Sequence, residues 1–358
     1  MKVLIAAGGT GGHIYPGIAI ANEILRRDAD SEVLFVGTAR GLETKIVPDN
    51  GFQLALIHSA GLKNVGFTGK IKGMMVLPRS FIEARKILRE FSPDVVVGAG
   101  GYVAGPVLLT AHFMGFPTLV MDSNALPGFT NRRLAAFIDK AALTFEDAMT
   151  FFGKKGVVTG NPVREEFFGV AEKAAGDEMH VLIFGGSQGS RAINNAMIEA
   201  LPLLRANGSK LLITHQTGEA DFEVVERAYS ENEWQNAEIL PYISNMVGAF
   251  ANADVIISRA GATTCAEVAA AGKAAIMVPL PTAADDHQRK NAEALVRNGA
   301  ARMILQKDLS GKTLANELSA LSTDKIALRK MGEAARKMAR PDAAEATVDL
   351  IESIRKRK

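Results

Sequence analysis

Short apolar runs alternate along the chain with longer segments whose apolar residues recur at helical spacing. Runs such as Val3-Leu4-Ile5 and Val95-Val96-Val97 are typical of strands buried on both faces. The pattern predicts strands at residues 2–6, 33–37, 54–57, 95–98, 118–121, 142–144, 181–184, 210–215, 239–240, 255–258, 275–278 and 302–305. It predicts helices that include residues 17–27, 82–89, 193–204 and 291–297. Strands that alternate with helices indicate parallel sheets joined by right-handed crossovers.

The pattern repeats once, at about half the chain length. "VLIAAGGTGG" begins at Val3 and "VLIFGGSQGS" begins at Val181, and each combines a strand, a glycine-rich turn and a helix start. The repeat predicts an α/β protein with two Rossmann-like domains. We place the N-terminal domain at 1–162 and the C-terminal domain at 163–340. We predict a C-terminal helix at 341–358, and one option is that it packs back on the N-terminal domain.

Composition narrows the class of protein. A chain of 358 residues suits two domains, and its formal charge of +2 gives no reason to expect a nucleic-acid partner. Cys265 is the single cysteine, which excludes an internal disulfide framework and a multi-cysteine metal site. No acid, lysine or arginine occurs between Asp94 and Asp122, but glycines and prolines interrupt this stretch. We therefore interpret it as strand, loop, helix and strand rather than as a membrane span.

The first glycine-rich turn is neither a dinucleotide fingerprint nor a Walker A loop. Ile14 stands where the third glycine of GxGxxG belongs, and no Gly-Lys-Ser/Thr follows. Consecutive glycines at a strand-to-helix turn expose backbone N–H groups, and a helix N-terminus favours an anion. A phosphate site in at least one of the two loops is the better interpretation, with a tight turn as the alternative.

His13 follows the first glycine loop at the predicted start of a helix. The helix dipole there favours a neutral ring that can accept a proton. His13 is therefore a candidate general base, and a hydrogen-bonded structural ring is the alternative interpretation.

Six motifs then occur in order over nearly the whole chain: "GGTGGHIYPGIAIA", "GAGGYVAGP", "GNPVR", "GGSQGS", "HQTG" and "SRAGATTCAEVAAAGKAAIMVPLP". This set resembles the MurG family, bacterial enzymes of peptidoglycan synthesis. They transfer N-acetylglucosamine from UDP-N-acetylglucosamine to lipid I, undecaprenyl-pyrophosphoryl-N-acetylmuramyl-pentapeptide. The resemblance implies a GT-B fold, with two parallel sheets facing across a cleft. It also implies an inverting transfer to the C4 hydroxyl without a metal or other cofactor, and peripheral attachment to the cytoplasmic face of the cell membrane.

The same resemblance assigns site residues. On this assignment His13 would be the catalytic base. The residues expected to bind the UDP-sugar are Arg164, Ser187, Ile243, Ala262, Thr263, Thr264, Cys265, Ala266, Glu267 and Gln288. Among these, Ile243 would pair its backbone with uracil, Glu267 would bind the ribose hydroxyls, and Gln288 would contact the sugar. The N-terminal domain would present the acceptor, with Thr10, Gly11 and Gly12 along the boundary between donor and acceptor. That loop, together with Gly100 and Gly101, could receive the lipid pyrophosphate, and Asn124 would touch the transferred sugar.

One segment departs from the family. Met121-Asp122-Ser123 stands before Asn124, where the family usually has His-Glu-Gln. Asp122 keeps a carboxylate on a shorter arm, while the histidine and glutamine are missing. Two alternatives to this transferase function stay open. They are a related glycolipid glycosyltransferase and a UDP-N-acetylglucosamine 2-epimerase on the same fold.

Two other signals have simple interpretations. Asp28-Ala29-Asp30 matches the metal-binding DxD of another glycosyltransferase fold, but its place between a helix and a strand favours a solvated turn. Cys265 lies in an alanine- and threonine-rich helix start and is more typical of packing than of a nucleophile.

The segment 61–81 mixes basic and apolar residues. Lys63, Lys70, Lys72 and Arg79 alternate with apolar side chains, and residues 1–163 hold 17 basic and 13 acidic side chains. This combination suits an anionic membrane surface. A core helix with a solvated face is the alternative.

Overall fold

The structure is a computed structural model that describes residues 1–9, 11–59, 67–171, 178–186 and 188–355, with backbone alone for residues 67–75. The chain divides into two compact units. The first unit contains Met1–Val163 together with Arg340–Lys358, and the second contains Arg164–Ala339.

The first unit is built on a seven-stranded sheet in which every pair is parallel, in the order β3-β2-β1-β4-β5-β6-β7. Its strands are β1 (Lys2–Ala7), β2 (Glu32–Gly37), β3 (Gln53–Leu56), β4 (Val95–Gly100), β5 (Thr118–Asp122), β6 (Lys140–Leu143) and β7 (Gly156–Val158). Its helices include α1 (Gly11–Arg27), α2 (Glu43–Asp49), α3 (Phe67–Phe91), α4 (Ala104–Phe113), α5 (Phe129–Leu134) and α6 (Met149–Phe152). The charge-free stretch between Asp94 and Asp122 folds as β4, α4 and β5, as predicted.

The second unit repeats this plan with six parallel strands in the order β10-β9-β8-β11-β12-β13. Its strands are β8 (Met179–Phe184), β9 (Leu211–Gln216), β10 (Ala237–Leu240), β11 (Val255–Ser258), β12 (Ala274–Met277) and β13 (Ala301–Met303). Its helices are α7 (Arg191–Ala206), α8 (Phe222–Glu231), α9 (Met246–Asn252), α10 (Ala262–Ala271), α11 (His287–Arg297), α12 (Gly311–Thr323) and α13 (Lys325–Met338).

The last helix, α14 (Ala343–Ile354), belongs to the first unit and packs on α1. Val348 and Ile351 are fully buried in the core between α1 and the sheet. At the rim, Arg27 donates to Asp349 at 2.6 Å. None of the described helices combines the length and apolar character required to cross a membrane.

In both sheets the strand order reverses at the first strand of the unit. In the first, β1 lies between β2 and β4, with Ile5 opposite Phe35 on one side and Val97 on the other. In the second, β8 lies between β9 and β11. The loops after the two strands at such a switch point diverge and leave a crevice, where open α/β sheets bind ligands. Each glycine-rich turn of the repeat follows the first strand of such a pair.

Candidate active site

The first glycine loop joins β1 to α1 and packs against the loop after β4. Gly9 and Gly101 have φ of +90° and +82°, a conformation that glycine adopts without strain. A side chain at Gly101 would overlap the carbonyl of Gly8. The two loops therefore meet backbone to backbone. Thr10 lies outside the described residues.

His13 lies in the first turn of α1, partly buried, and its ring packs on Gly100. A Cβ at Gly100, which has φ of +122°, would overlap Nδ1 of His13. The structure thus brings together His13, Gly100 and Gly101, three residues that the sequence places near the acceptor. Gly11 and Gly12 are the first two residues of α1, so their N–H groups have no acceptor within the helix.

The Gly9 N–H already has a protein partner. It donates to Oε2 of Glu43 at 2.9 Å, and the Glu43 side chain is completely buried. The sequence predicts that backbone amides along the glycine loop are exposed and can bind an anionic ligand. The Gly9 amide instead donates to the carboxylate of Glu43. Glu43 was not among the predicted site residues.

Asp122, at the end of β5, holds the turn that follows it. The Asp122 carboxylate accepts from the N–H of Asn124 at 3.0 Å, the N–H of Gly128 at 2.9 Å and Nδ2 of Asn131 at 2.8 Å. Burial raises the pKa of Asp122, and these donors oppose the shift. Since its oxygens are engaged by the turn, Asp122 organises the segment that carries Asn124.

The residues beside Asp122 also have structural partners. Met121 is 5% exposed and belongs to the core of the first unit. Ser123 donates from Oγ to Oδ1 of Asn161 at 2.9 Å. The departure from the family's His-Glu-Gln is therefore accommodated by packing and local hydrogen bonds.

The second glycine loop, between β8 and α7, packs on the loop after β9. A side chain at Gly189 would overlap the carbonyl of Thr217. Gln216, 1% exposed, donates from Nε2 to the carbonyl of Gly186 at 2.8 Å and accepts from the Ile243 N–H at 3.3 Å. Gln216 therefore joins the glycine loop to the segment expected to contact uracil. Ser187 lies outside the described residues.

His215, the histidine of the "HQTG" motif, is structural. It is fully buried between Oδ1 of Asn194 at 3.1 Å and the hydroxyl of Tyr229 at 3.2 Å. Burial lowers the pKa of His215 to about 3, so the ring stays neutral.

The N-terminus of α10 begins with Ala262, Thr263 and Thr264, whose N–H groups have no acceptor within the helix. The first turn contains no acidic residue. Oγ1 of Thr263 is buried and has no hydrogen-bond partner among the described residues. A buried hydroxyl of this kind needs an explanation, and a bound ligand supplies one.

Glu267 lies one turn further along α10 with a side chain that is 16% exposed. Burial raises the pKa of Glu267 to about 7, although Arg164 opposes the shift. Nη2 of Arg164 is 3.9 Å from Oε1 of Glu267, and the Arg164 guanidinium stacks 4.8 Å from the ring centre of Phe167. The second unit thus brings Arg164, Thr263 and Glu267 to the same helix end.

The remaining predicted donor residues lie around the same edge of the sheet. Ala266 follows Cys265, which is 2% exposed, and burial raises the pKa of the Cys265 thiol to about 12. Cys265 is therefore a packing residue in this structure. Gln288, in the first turn of α11, accepts from the Leu280 N–H at 3.0 Å through Oε1.

Acidic and histidine side chains do not cluster as a metal site within the described ranges. Asp28 instead accepts from Oγ of Ser31 at 2.9 Å and from the N-terminal amine at 3.2 Å. This contact pattern fits the solvated turn that the sequence favours for residues 28–30.

The two halves of the chain match the two domains of one enzyme family. Residues 3–143 match the glycosyltransferase family 28 N-terminal domain, and residues 180–347 match the family 28 C-terminal domain. The chain belongs to glycosyltransferase family 28, and the predicted enzyme class is confirmed.

Its full-length relatives narrow the class further. The chain is 46% identical over 99% of its length to the UDP-N-acetylglucosamine--N-acetylmuramyl-(pentapeptide) pyrophosphoryl-undecaprenol N-acetylglucosamine transferase of Geobacter sulfurreducens, covering 100% of that protein. It is also 46% identical to the transferase of the same name in Syntrophus aciditrophicus, covering 98% of this chain and 97% of that one. The predicted family resemblance is confirmed.

Solved structures agree on the fold. The crystal structure of Acinetobacter baumannii MurG matches with a TM-score of 0.82 and 33% identity, over 98% of this chain and 99% of that chain. The prediction of a GT-B protein with two Rossmann-like domains is confirmed. A UDP-GlcNAc 2-epimerase from Neisseria meningitidis matches with a TM-score of 0.72 over 99% of this chain and 100% of that chain. Its identity of 15% supports the fold alone.

Proposed function

We infer that this chain transfers N-acetylglucosamine from UDP-N-acetylglucosamine to lipid I and forms lipid II for peptidoglycan synthesis. The observation that carries this conclusion is identity of 44–46% over essentially the full length to transferases of that name. The same synthesis underlies growth of the cell wall, cell shape and cell division.

The reaction is an inverting displacement at the anomeric carbon. The C4 hydroxyl of the N-acetylmuramyl unit loses its proton to His13, and its oxygen forms the new bond to the anomeric carbon. The bond from that carbon to the diphosphate oxygen breaks, and UDP leaves with the electron pair. His13 at the start of α1, packed on Gly100, supports its role as the base.

The second unit holds the donor. Charge that develops on the departing diphosphate is stabilised by the free N–H groups at the start of α10 and by Ser187. Glu267 accepts from the ribose hydroxyls, with Arg164 beside it. The backbone of Ile243 pairs with uracil. The Ile243 N–H, which donates to Gln216 in this structure, then donates to the base instead. Gln288 contacts the sugar hydroxyls, and Asn124 meets the transferred sugar from the acceptor side.

The activity is tested by incubating the protein with UDP-N-acetylglucosamine labelled in the sugar and a short-chain lipid I analogue, in excess chelator. We expect label in the lipid fraction as a β-1,4-linked disaccharide. Interconversion of the free UDP-sugar with no label in lipid would identify an epimerase instead. Loss of transfer that magnesium restores would contradict the metal-independent mechanism.

We further propose that the enzyme attaches peripherally to the cytoplasmic face of the membrane through α3 and α4. Ile82 and Phe113 are 70% and 75% exposed, and Arg85 and Arg89 lie beside them along the same groove. Apolar side chains flanked by arginines suit insertion at an anionic lipid surface. Within the segment 61–81, residues 61–66 and the side chains of residues 67–75 lie outside the described part of the chain.

Membrane attachment is tested with phosphatidylglycerol and phosphatidylcholine vesicles. We expect binding to phosphatidylglycerol that weakens with salt, and a clear loss of binding in the double variant Ile82→Ser, Phe113→Ser. Leu203→Ser is the matched control, because Leu203 is 40% exposed on α7 in the other unit. Equal binding by the double variant and the parent would contradict this surface.

A further inference from the structure

Glu43 is a buried acid with no role in the mechanism described so far. It is the first residue of α2, and its side chain has no solvent exposure. A carboxylate taken out of water is costly unless hydrogen bonds replace its hydration. The groups that surround Glu43 must therefore supply those bonds.

They do so from two segments. Oε1 accepts from the N–H of Thr38 at 2.8 Å and from its hydroxyl at 2.9 Å, and Oε2 accepts from the N–H of Gly9 at 2.9 Å. Burial by itself raises the pKa of Glu43, but these donors outweigh it and the pKa lies below its ordinary value. Glu43 is thus ionised at neutral pH and bonded to the first glycine loop.

Three glycines leave room for this carboxylate. A Cβ at Gly37 or Gly41 would overlap the Glu43 side chain, and a Cβ at Gly8 would come within 2.9 Å of Oε1. These glycines come from the ends of β1 and β2 and from the turn before α2. The absence of side chains at these three positions therefore leaves the space that the buried Glu43 side chain occupies.

The bond to Gly9 fixes the part of the loop that leads into α1. Gly8 packs its carbonyl on Gly101, and His13 packs its ring on Gly100. We propose that Glu43 is a positioning residue of the acceptor side, which holds the loop at Gly8 and Gly9 and thereby presents His13 against Gly100. This inference rests on the proposed role of His13 in the reaction.

Glu43→Gln keeps the shape of the side chain but replaces one accepting oxygen with an NH2 group that faces N–H or O–H donors. We expect kcat to fall about 10- to 100-fold, since small misplacements of a reacting group cost rates of this order. The KM for UDP-N-acetylglucosamine should stay within about twofold, because the donor-binding residues belong to the other unit. The control is Glu23→Gln, a 7% exposed glutamate at the far end of α1 that pairs with Arg26 and Arg27.

The coupling to His13 is measured with a double-mutant cycle. If Glu43 acts through His13, Glu43→Gln should reduce kcat little further in the His13→Ala background. Where His13→Ala itself reduces kcat, multiplicative losses would overturn the proposal. A donor KM that rises in parallel, or an equal loss in Glu23→Gln, would also overturn it.

Two further readouts keep the inference separate from the base assignment and from folding. If His13→Ala keeps full turnover, the base assignment fails, while a kcat loss in Glu43→Gln at constant donor KM still supports loop positioning. If Glu43→Gln does not fold, Thr38→Val removes one donor and keeps the charge. We expect it to reduce kcat about 2- to 10-fold at constant donor KM, and an unchanged kcat would overturn the proposal.

Discussion

The hydroxyl of Thr263 is expected to contribute to donor binding and not to the stability of the fold. Its buried hydroxyl has no partner among the described residues, at the helix end where the donor phosphates are expected. Thr263→Val should leave the free energy of unfolding unchanged or raise it, because it removes an unsatisfied polar group. The same change should weaken UDP-N-acetylglucosamine binding about 2- to 10-fold, measured by calorimetry.

The control for Thr263 is Thr110→Val. The Thr110 hydroxyl is buried on α4 and donates to the Pro106 carbonyl at 2.7 Å. This variant should lose stability and keep its affinity for the UDP-sugar. If Thr263→Val loses stability and keeps full affinity, the hydroxyl is not part of the donor site.

Glu267 predicts a pH dependence of donor binding. Burial raises its pKa to about 7, so the ionised form that accepts best from ribose hydroxyls gains population between pH 6 and 8. We expect the affinity for UDP-N-acetylglucosamine to rise across this window. Its diphosphate is a diester that does not titrate there, so the effect belongs to the protein.

Stability should respond to Glu267 with the opposite sign. The folded pKa lies above the ordinary value of 4.5, so the folded state binds more protons between these values. The contribution of Glu267 to stability therefore falls as pH rises from 4.5 to 7. Glu267→Gln should flatten both profiles, and a binding profile that keeps its slope in this variant would exclude Glu267 as the cause.

At the residue scale, the sequence predicts what a motif carries and misses what the fold brings together. His13 and Glu267 stand inside recognisable glycine- and alanine-rich helix starts. Glu43 stands in none of the quoted motifs, and Gln216 stands in "HQTG" without an assigned role. Their roles depend on contacts with Gly9, 34 residues away, and Gly186, 30 residues away. Such contacts can be identified only once the order of the strands in the sheet is known.

At the element scale, hydrophobic patterning locates the predicted strands, and their ends shift by up to two residues. It misses β7, a three-residue edge strand that follows Lys154 and Lys155, because the run Gly156–Val158 is too short to form a pattern. It also underestimates α3, which runs from Phe67 to Phe91 although Pro78 lies inside it. Tertiary packing of α3 on α4 outweighs the low helix propensity of that residue.

The return of α14 to the first unit predicts a stability effect far from the site. Ile351 is fully buried with Val348 in the core against α1. Ile351→Ala should destabilise the protein by about 2–5 kcal/mol, as for other large-to-small core changes. Thermal or urea unfolding measures this directly.

The control lies on the same helix. Glu352 is 47% exposed and pairs with Arg27 at 3.4 Å, so Glu352→Ala should cost no more than about 1 kcal/mol. Similar midpoints for Ile351→Ala and Glu352→Ala would contradict the packing of α14 on the first unit.

At the scale of the whole molecule, one pattern predicts both units. The repeat of strand, glycine turn and helix at Val3 and Val181 corresponds to β1 and β8, the strands beside the two switch points. The sites differ in their chemistry. The first unit has a buried carboxylate beneath its glycine loop, whereas the second has the neutral amide of Gln216 at its loop.

The central claim is that the first unit supplies the base and the second unit holds the nucleotide. His13→Ala tests it most directly, with turnover and UDP affinity measured on the same preparation. We expect turnover to fall about 10²–10⁴-fold, the usual range for positioned proton transfer, with UDP affinity unchanged. His13→Gln should be as slow, because its amide cannot take the proton. Full turnover in His13→Gln, or parallel losses of turnover and UDP affinity in both variants, would contradict the account.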